Sequence, residues 1–308
     1  MRNILFFLVA FFLLNSQAHA DGAPDAAAFT YSAGSYSAFT VPGVFAPAPF
    51  GINNLGQIVG TDGNENIGFL YQNGNTTIIA PVGNFSTRPQ GINDSGLIVG
   101  NEFYPGSQGF RVFIDNAGTI TMVAVPQSAT AAGLNNAGQI VGSFDSSAGT
   151  EEGFVYAKGV FSSFIAPGST STFFSGISNS GEIVGNYLNS SGDHIFVYDL
   201  ATGAFSTVSV PCSGANAAGI NSHDEIVGDC RMGGRVTGYE YDYITGQFTP
   251  IIFPLSNIQL TAVTGINDNG EVIGFYTAPE PGILSQLTIG FAGLIFVKLF
   301  RNSVFKPS

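Results

Sequence analysis

Apolar residues in this chain come in short bursts without helical rhythm. "GINNLGQIVG" at 51–60 sets the pattern: Ile52 ends one apolar stretch, a polar turn follows, and Ile58-Val59 begins the next. The ten residues return as "GINDSGLIVG", "GLNNAGQIVG", "GISNSGEIVG", "GINSHDEIVG" and "GINDNGEVIG", starting at 91, 133, 176, 219 and 265. Intervals of 40 to 46 residues belong to solenoids and propellers. Helical repeats would show apolar spacings of three and four. Here β-branched and aromatic runs alternate with Gly, Asn, Asp and Ser, which predicts β-structure.

Each unit divides into four predicted strands. The first ends in "GIN" and the second is "QIVG" or its equivalent. Between them Asn forms an Asx turn and Gly supplies the positive φ of a bulged hairpin. The fifth unit has Ser222-His223-Asp224 there, and Asp tolerates the left-handed region that Gly otherwise fills. The third strand is a "GF.Y" element, read at Gly68-Phe69, Gly109-Phe110, Gly153-Phe154, Phe196-Val197-Tyr198 and Gly238-Tyr239. The fourth alternates and ends in proline, at Pro42, Pro81, Pro126, Pro167, Pro211 and Pro254, since a residue without an N–H suits a strand end.

The phase of the repeat predicts how the array ends. The stretch "AFTYSAGSYSAFTVPG" at 28–43 matches third and fourth strands only, and "TGINDNGEVIGFY" at 264–276 matches first and second only. A linear array gains nothing from being half a unit out of phase at both ends. A ring gains a blade made from the two halves, and closure protects sheet edges. The expectation is an all-β, six-bladed β-propeller closed by N- and C-terminal half-blades, spanning 21–277, with an open β-solenoid as the alternative.

Composition agrees with turn-rich β-structure: Gly 41 and Phe 28 against Trp 0 in 308 residues. Between Asp21 and Thr277 lie 20 acids and only five bases, Arg88, Arg111, Lys158, Arg231 and Arg235. Such a surface repels phosphate backbones, so nucleic acid is not an expected partner. The simplest role for this charge is solubility.

The two ends carry addresses. "MRNILFFLVAFFLLNSQAHA" has an early base, an apolar run and small residues at Ala18 and Ala20, a secretory signal peptide over 1–20 with cleavage after Ala20. A retained anchor fits less well, because the apolar run is short for a span. At the other end Pro279-Glu280-Pro281 precedes an apolar segment, and bases follow it. Ile283 to Val297 would rise only about 22 Å as a helix, but extension to Phe300 with Lys298 snorkelling makes a span over 283–300 feasible. A plain single-pass anchor is one reading. Cys212 and Cys230, the only cysteines, flank the fifth hairpin, and an oxidising compartment lets them form a disulfide.

Two resemblances follow. Residues 278–308, with Pro-Glu-Pro, a short hydrophobic helix and terminal bases, resemble the PEP-CTERM sorting domain. The "GIN..G.IVG" core with its downstream "GF.Y" resembles the HAF repeat of extracellular proteins. Together they imply an exosortase-type processing enzyme as partner and transient anchoring by the C-terminal helix. They also imply association with extracellular polysaccharide, at the cell surface, outer membrane or matrix of a Gram-negative bacterium.

Chemistry is sparse. After signal cleavage only His194 and His223 remain, on a strand edge and in a turn, without metal-ligand spacing. Glu182, Glu225 and Glu271 share one phase just after the hairpin turn, where other units carry Gln57, Leu97 and Gln139. Paired acids suffice for glycoside chemistry, but a position that accepts Leu reads more simply as a turn flank. Asp62-Gly63-Asn64-Glu65-Asn66 lacks the bidentate Glu of a calcium loop. No catalytic, cofactor or metal residue is assigned, and the expected role is a non-enzymatic exported surface protein. A polysaccharide-modifying hydrolase or lyase on the same scaffold is the alternative.

Overall fold

The computed structural model describes residues 26–63, 67–80, 86–103, 110–255, 258 and 260–277. The signal peptide with Ala18 and Ala20, the Pro279-Glu280-Pro281 motif and the 283–300 segment lie outside the described residues. The fold is an all-β propeller. Four consecutive four-stranded antiparallel sheets occupy 48–79, 86–122, 130–164 and 171–208. The other strands form one eight-stranded sheet. It comprises an antiparallel set over 213–251 and a second set of Leu260–Ile266, Val272–Thr277, Ala26–Ser32 and Ser35–Phe39, joined by a single parallel bridge from Val236 to Leu260. In the second set the two chain ends pair: Ala26 to Tyr31 run antiparallel to Thr277 to Val272 in unbroken register.

One cross-strand pair recurs in all six units and explains two elements of the repeat. The glycine of "IVG" faces an aromatic residue on the third strand: Gly60 with Phe69, Gly100 with Phe113, Gly142 with Phe154, Gly185 with Phe196 and Gly228 with Tyr239. A Cβ added at Gly60, Gly100, Gly142 or Gly185 would land on a first-strand carbonyl oxygen and 2.6–2.8 Å from the aromatic ring. The sixth pair joins the termini, Gly274 with Phe29, and an added Cβ there meets the Phe29 ring at 2.8 Å. Phe29 is thus the third-strand aromatic of a unit whose glycine lies some 245 residues downstream.

Two expectations need correction. In the second unit the aromatic facing glycine is Phe113, three residues past the predicted Phe110. Phe110 instead pairs with Phe103 near the hairpin tip, and Gly109 lies outside the described residues. The fourth strands end at Phe39, Ile79, Met122, Phe164, Val208 and Ile251, so Pro42, Pro126, Pro167, Pro211 and Pro254 fall in the connections beyond them, and Pro81 lies outside the described residues. Pro250 does sit inside a fourth strand, Phe248–Ile251, which pairs on one side only, with Arg235–Asp242, and is an edge strand where proline is tolerated.

Every larger core cluster among the described residues draws on two neighbouring units, which locks the units together. Val141 of the third unit packs among Phe174, Ile183 and Phe196 of the fourth, and Ile273 of the last packs with Ile52, Ile58 and Phe69 of the first. The second contact brings the two ends of the array together, as a closed propeller requires. The disulfide forms between Cys212 and Cys230, tying the approach of one strand to the end of its neighbour. Such a bond belongs in an oxidising, extracytoplasmic compartment.

Candidate functional site

The motif "GINx" builds the propeller axis layer by layer. Glycine comes first. A Cβ on Gly51 would sit 2.7 Å from the Gly91 Cα, and one on Gly176 would sit 3.1 Å from the Gly219 Cα, so the first strands of adjacent units touch through these residues. Next comes a ring of Ile52, Ile92, Leu134, Ile177, Ile220 and Ile266, each buried. The third layer is Asn53, Asn93, Asn135, Ser178, Asn221 and Asn267, all at most 5% exposed.

That third layer is a hydrogen-bonded belt. Each Asn Oδ1 accepts the N–H groups two and four residues on, as in Leu55 and Gln57 to Asn53, which is the Asx turn expected from sequence. Each Nδ2 donates forward to the main-chain oxygen of the next unit: Asn53 to Asn93 at 2.9 Å, Asn93 to Asn135 at 3.3 Å and Asn135 to Ser178 at 3.1 Å. Asn221 donates to Asn267 at 3.2 Å, and Asn267 donates to Asn53 at 2.9 Å, which brings the belt back to its start. The break is at Ser178, whose hydroxyl cannot reach Asn221. Gly56, Gly96, Gly138, Gly181 and Gly270 take positive φ in the turns, and Asp224 does so at φ 66° where glycine is missing.

A fourth layer forms the axial mouth. Asn54, Asp94, Asn136 and Asp268 each donate a main-chain N–H to the side-chain oxygen of the next unit, at 2.7–2.9 Å. Asp94 also accepts the amides of Asn54 and Asn136, at 2.9 and 2.7 Å. Asp268 accepts the Ser222 N–H and the amides of Asn179 and Asn54, at 2.9, 2.8 and 3.2 Å. Burial pushes the Asp268 carboxyl up, but these donors outweigh it and hold the group below the usual carboxylate range. The mouth encloses about 80 Å³. Small-molecule sites usually need roughly 300 Å³ or more, so this space suits a few waters.

The three glutamates singled out by phase lie around this belt and serve it. Glu225 accepts the Asn221 amide at 2.6 Å and Glu271 the Asn267 amide at 3.0 Å, as Gln57 and Gln139 do for Asn53 and Asn135. Glu182 follows Ser178, which has no amide to offer. Its carboxylate accepts the hydroxyl of Tyr243 from the next unit instead, and Tyr243 also lies 3.1 Å from Asp224. Burial, then the two carboxylates, push the Tyr243 hydroxyl up. This contact bridges the gap that Ser178 leaves in the belt.

Elsewhere, His223 is exposed in its turn. His194 stacks on Tyr187 with centroids 4.9 Å apart, its Nε2 2.8 Å from Ser191 Oγ, on a hairpin flank. Asp62 accepts the Ile67 N–H at 2.9 Å and so closes its own loop. Among the described residues, no three His, Cys, Asp or Glu side chains come together to hold a metal. Asp145 and Glu151 face each other across one hairpin, with Ser143 Oγ donating to Glu151 at 3.4 Å. Burial first, then the Asp145 charge, push Glu151 up to about 7. Sequence reasoning found the Asx turns but missed that the same asparagines join unit to unit; the signal was their presence in five of six repeats.

Neither a family model nor a curated protein matches the sequence. Solved structures do. The chain is similar to a putative TolB from Agrobacterium tumefaciens, with a TM-score of 0.67 and 10% identity, over 84% of this chain and all of that one. It is also similar to TolB from Acinetobacter baumannii, with a TM-score of 0.54 and 11% identity, over 82% of this chain and 63% of that one. At these identities the likeness is one of fold, and the fold it shows is the β-propeller.

Proposed function

We propose that the chain is a six-bladed propeller sealed by its two terminal half-blades and that it acts as a non-enzymatic, exported surface or matrix protein. It associates with extracellular polysaccharide through its rims and is sorted by the Pro279-Glu280-Pro281 segment, with an exosortase-type enzyme as processing partner. The observation that carries this reading is the self-satisfied axis. Amides and carboxylates at the usual propeller site are spent on one another, so recognition falls to the loops. The secretory leader, the disulfide and the HAF-like repeat support export.

A second reading rests on the Asp145–Glu151 pair. A carboxyl titrating at about 7 beside a second carboxylate is the arrangement a polysaccharide hydrolase or lyase uses as acid and base. Glycan-array binding and a turnover assay on the same ectodomain separate the two. The surface-protein reading expects saccharide binding without turnover. Turnover abolished by Glu151→Gln would overturn it.

A further inference from the structure

The strand directions place charge and chain ends unequally on the two rims. First-to-second and third-to-fourth turns make the belt rim. Second-to-third hairpins and the connections between units make the other. Among the described residues the belt rim has one Lys or Arg, Lys158, against six acids in the first-to-second turns and three at third-strand ends, Asp115, Asp199 and Asp242. All four arginines, Arg88, Arg111, Arg231 and Arg235, lie toward the hairpin ends of their strands, so among the described residues that rim sets four bases against six acids, Asp62, Glu102, Asp145, Glu151, Glu152 and Asp193, and is far less acidic than the belt rim. Both chain ends leave from this hairpin rim, since Ala26 pairs with Thr277 there.

From this we infer that the membrane-tethered protein stands with its hairpin rim against an anionic lipid surface and its belt rim outward. The inference rests on the exported-surface-protein reading above, taken with 283–300 as a retained membrane anchor. From Thr277 to Ile283 the chain can extend at most about 20 Å. A seven-residue strand crosses about 23 Å between rims, so turning the belt rim to the bilayer would demand more chain than the tether holds. Anionic headgroups repel the belt rim, with nine acids against one base, more strongly than the arginine-bearing rim, over a range of about 8 Å at physiological salt. The outward face is then the acidic belt rim, and a polysaccharide met by its turns must be neutral or cationic.

The test uses the full chain in vesicles of phosphatidylcholine and phosphatidylglycerol, with a fluorophore on one added thiol, Ser147→Cys on the hairpin rim or Ala137→Cys on the belt rim. Both positions are exposed, and the native cysteines are paired. Headgroup-spin-labelled lipid should quench the Ser147 probe several-fold more than the Ala137 probe, more so in anionic than in neutral vesicles. A floating protein whose Ala137 probe is quenched as strongly overturns the orientation alone. A chain that fails to float with the vesicles overturns the anchored reading and the orientation with it.

Discussion

Asp229 offers a sharp test of how the blades are held together. It follows the "IVG" glycine of its unit, where two other units carry Asn. Asn101 clamps Ala131 of the next blade, accepting its N–H at 2.8 Å and donating to its carbonyl at 2.9 Å. Asn186 does the same to Ala217 at 3.1 and 3.2 Å. Asp229 accepts the N–H of Val263 at 2.9 Å, but a carboxylate cannot return a proton donor to the carbonyl. The residue as a whole is partly covered while its carboxyl is enclosed, and burial pushes that carboxyl up to about 7 against the Val263 hydrogen bond. Tyr239 on the adjoining strand is the titratable group that feels its charge. The native state therefore holds a proton between about pH 4 and 7 that the unfolded chain releases. Stability falls as pH rises through that window, and the loss is complete above it. Three pKa units correspond to about 4 kcal/mol, an upper bound because the site can relax. Asp229→Asn restores the two-way clamp without charge. It should stabilise the protein by roughly 2–4 kcal/mol at pH 8 and by little at pH 4.5. Urea unfolding followed by far-ultraviolet circular dichroism suits a chain without tryptophan. Equal effects at both pH values, or destabilisation at pH 8, would refute the reasoning.

Three further substitutions probe the repeat. Ser178→Asn completes the amide belt toward Asn221 and should raise stability by about 1 kcal/mol, seen as a higher Tm; a lower Tm would show that the belt geometry fails there. Gly185→Ala places a methyl on the Phe173 carbonyl and 2.7 Å from the Phe196 ring, and should cost more than about 3 kcal/mol. Gly181→Ala, with φ 95° but open space around it, should cost only about 1 kcal/mol in the same thermal assay.

Much of the architecture was legible because the repeat spells out backbone geometry. Turn glycines, the Asp224 substitute and the half-unit phase each have a local or countable cause. The disulfide was legible because only two cysteines exist in an exported chain. What escaped was identity in three dimensions. Phe113 hides behind Phe110 because "GF.VF" offers two aromatic residues, and only the pairing to Gly100 chooses between them. The asparagine belt escaped because a side chain that serves its own turn through Oδ1 gives no local sign of its Nδ2 partner some 40 residues away. The glutamates looked like a solvated flank or a catalytic set because nothing local shows that the asparagine four residues before Glu225 and Glu271 is a buried belt member, or that Glu182 meets Tyr243 of the next unit.

Ring closure is the central claim, and native-state hydrogen exchange measures it most directly. Terminal strands of an open array fray, and their amides exchange by local opening. The account predicts that the amides bonded between 26–31 and 272–277 are as protected as those of Glu182–Asn189 in an interior blade, exchanging only through global unfolding. Exchange of the terminal pair within minutes, while the interior blade stays protected, would contradict it.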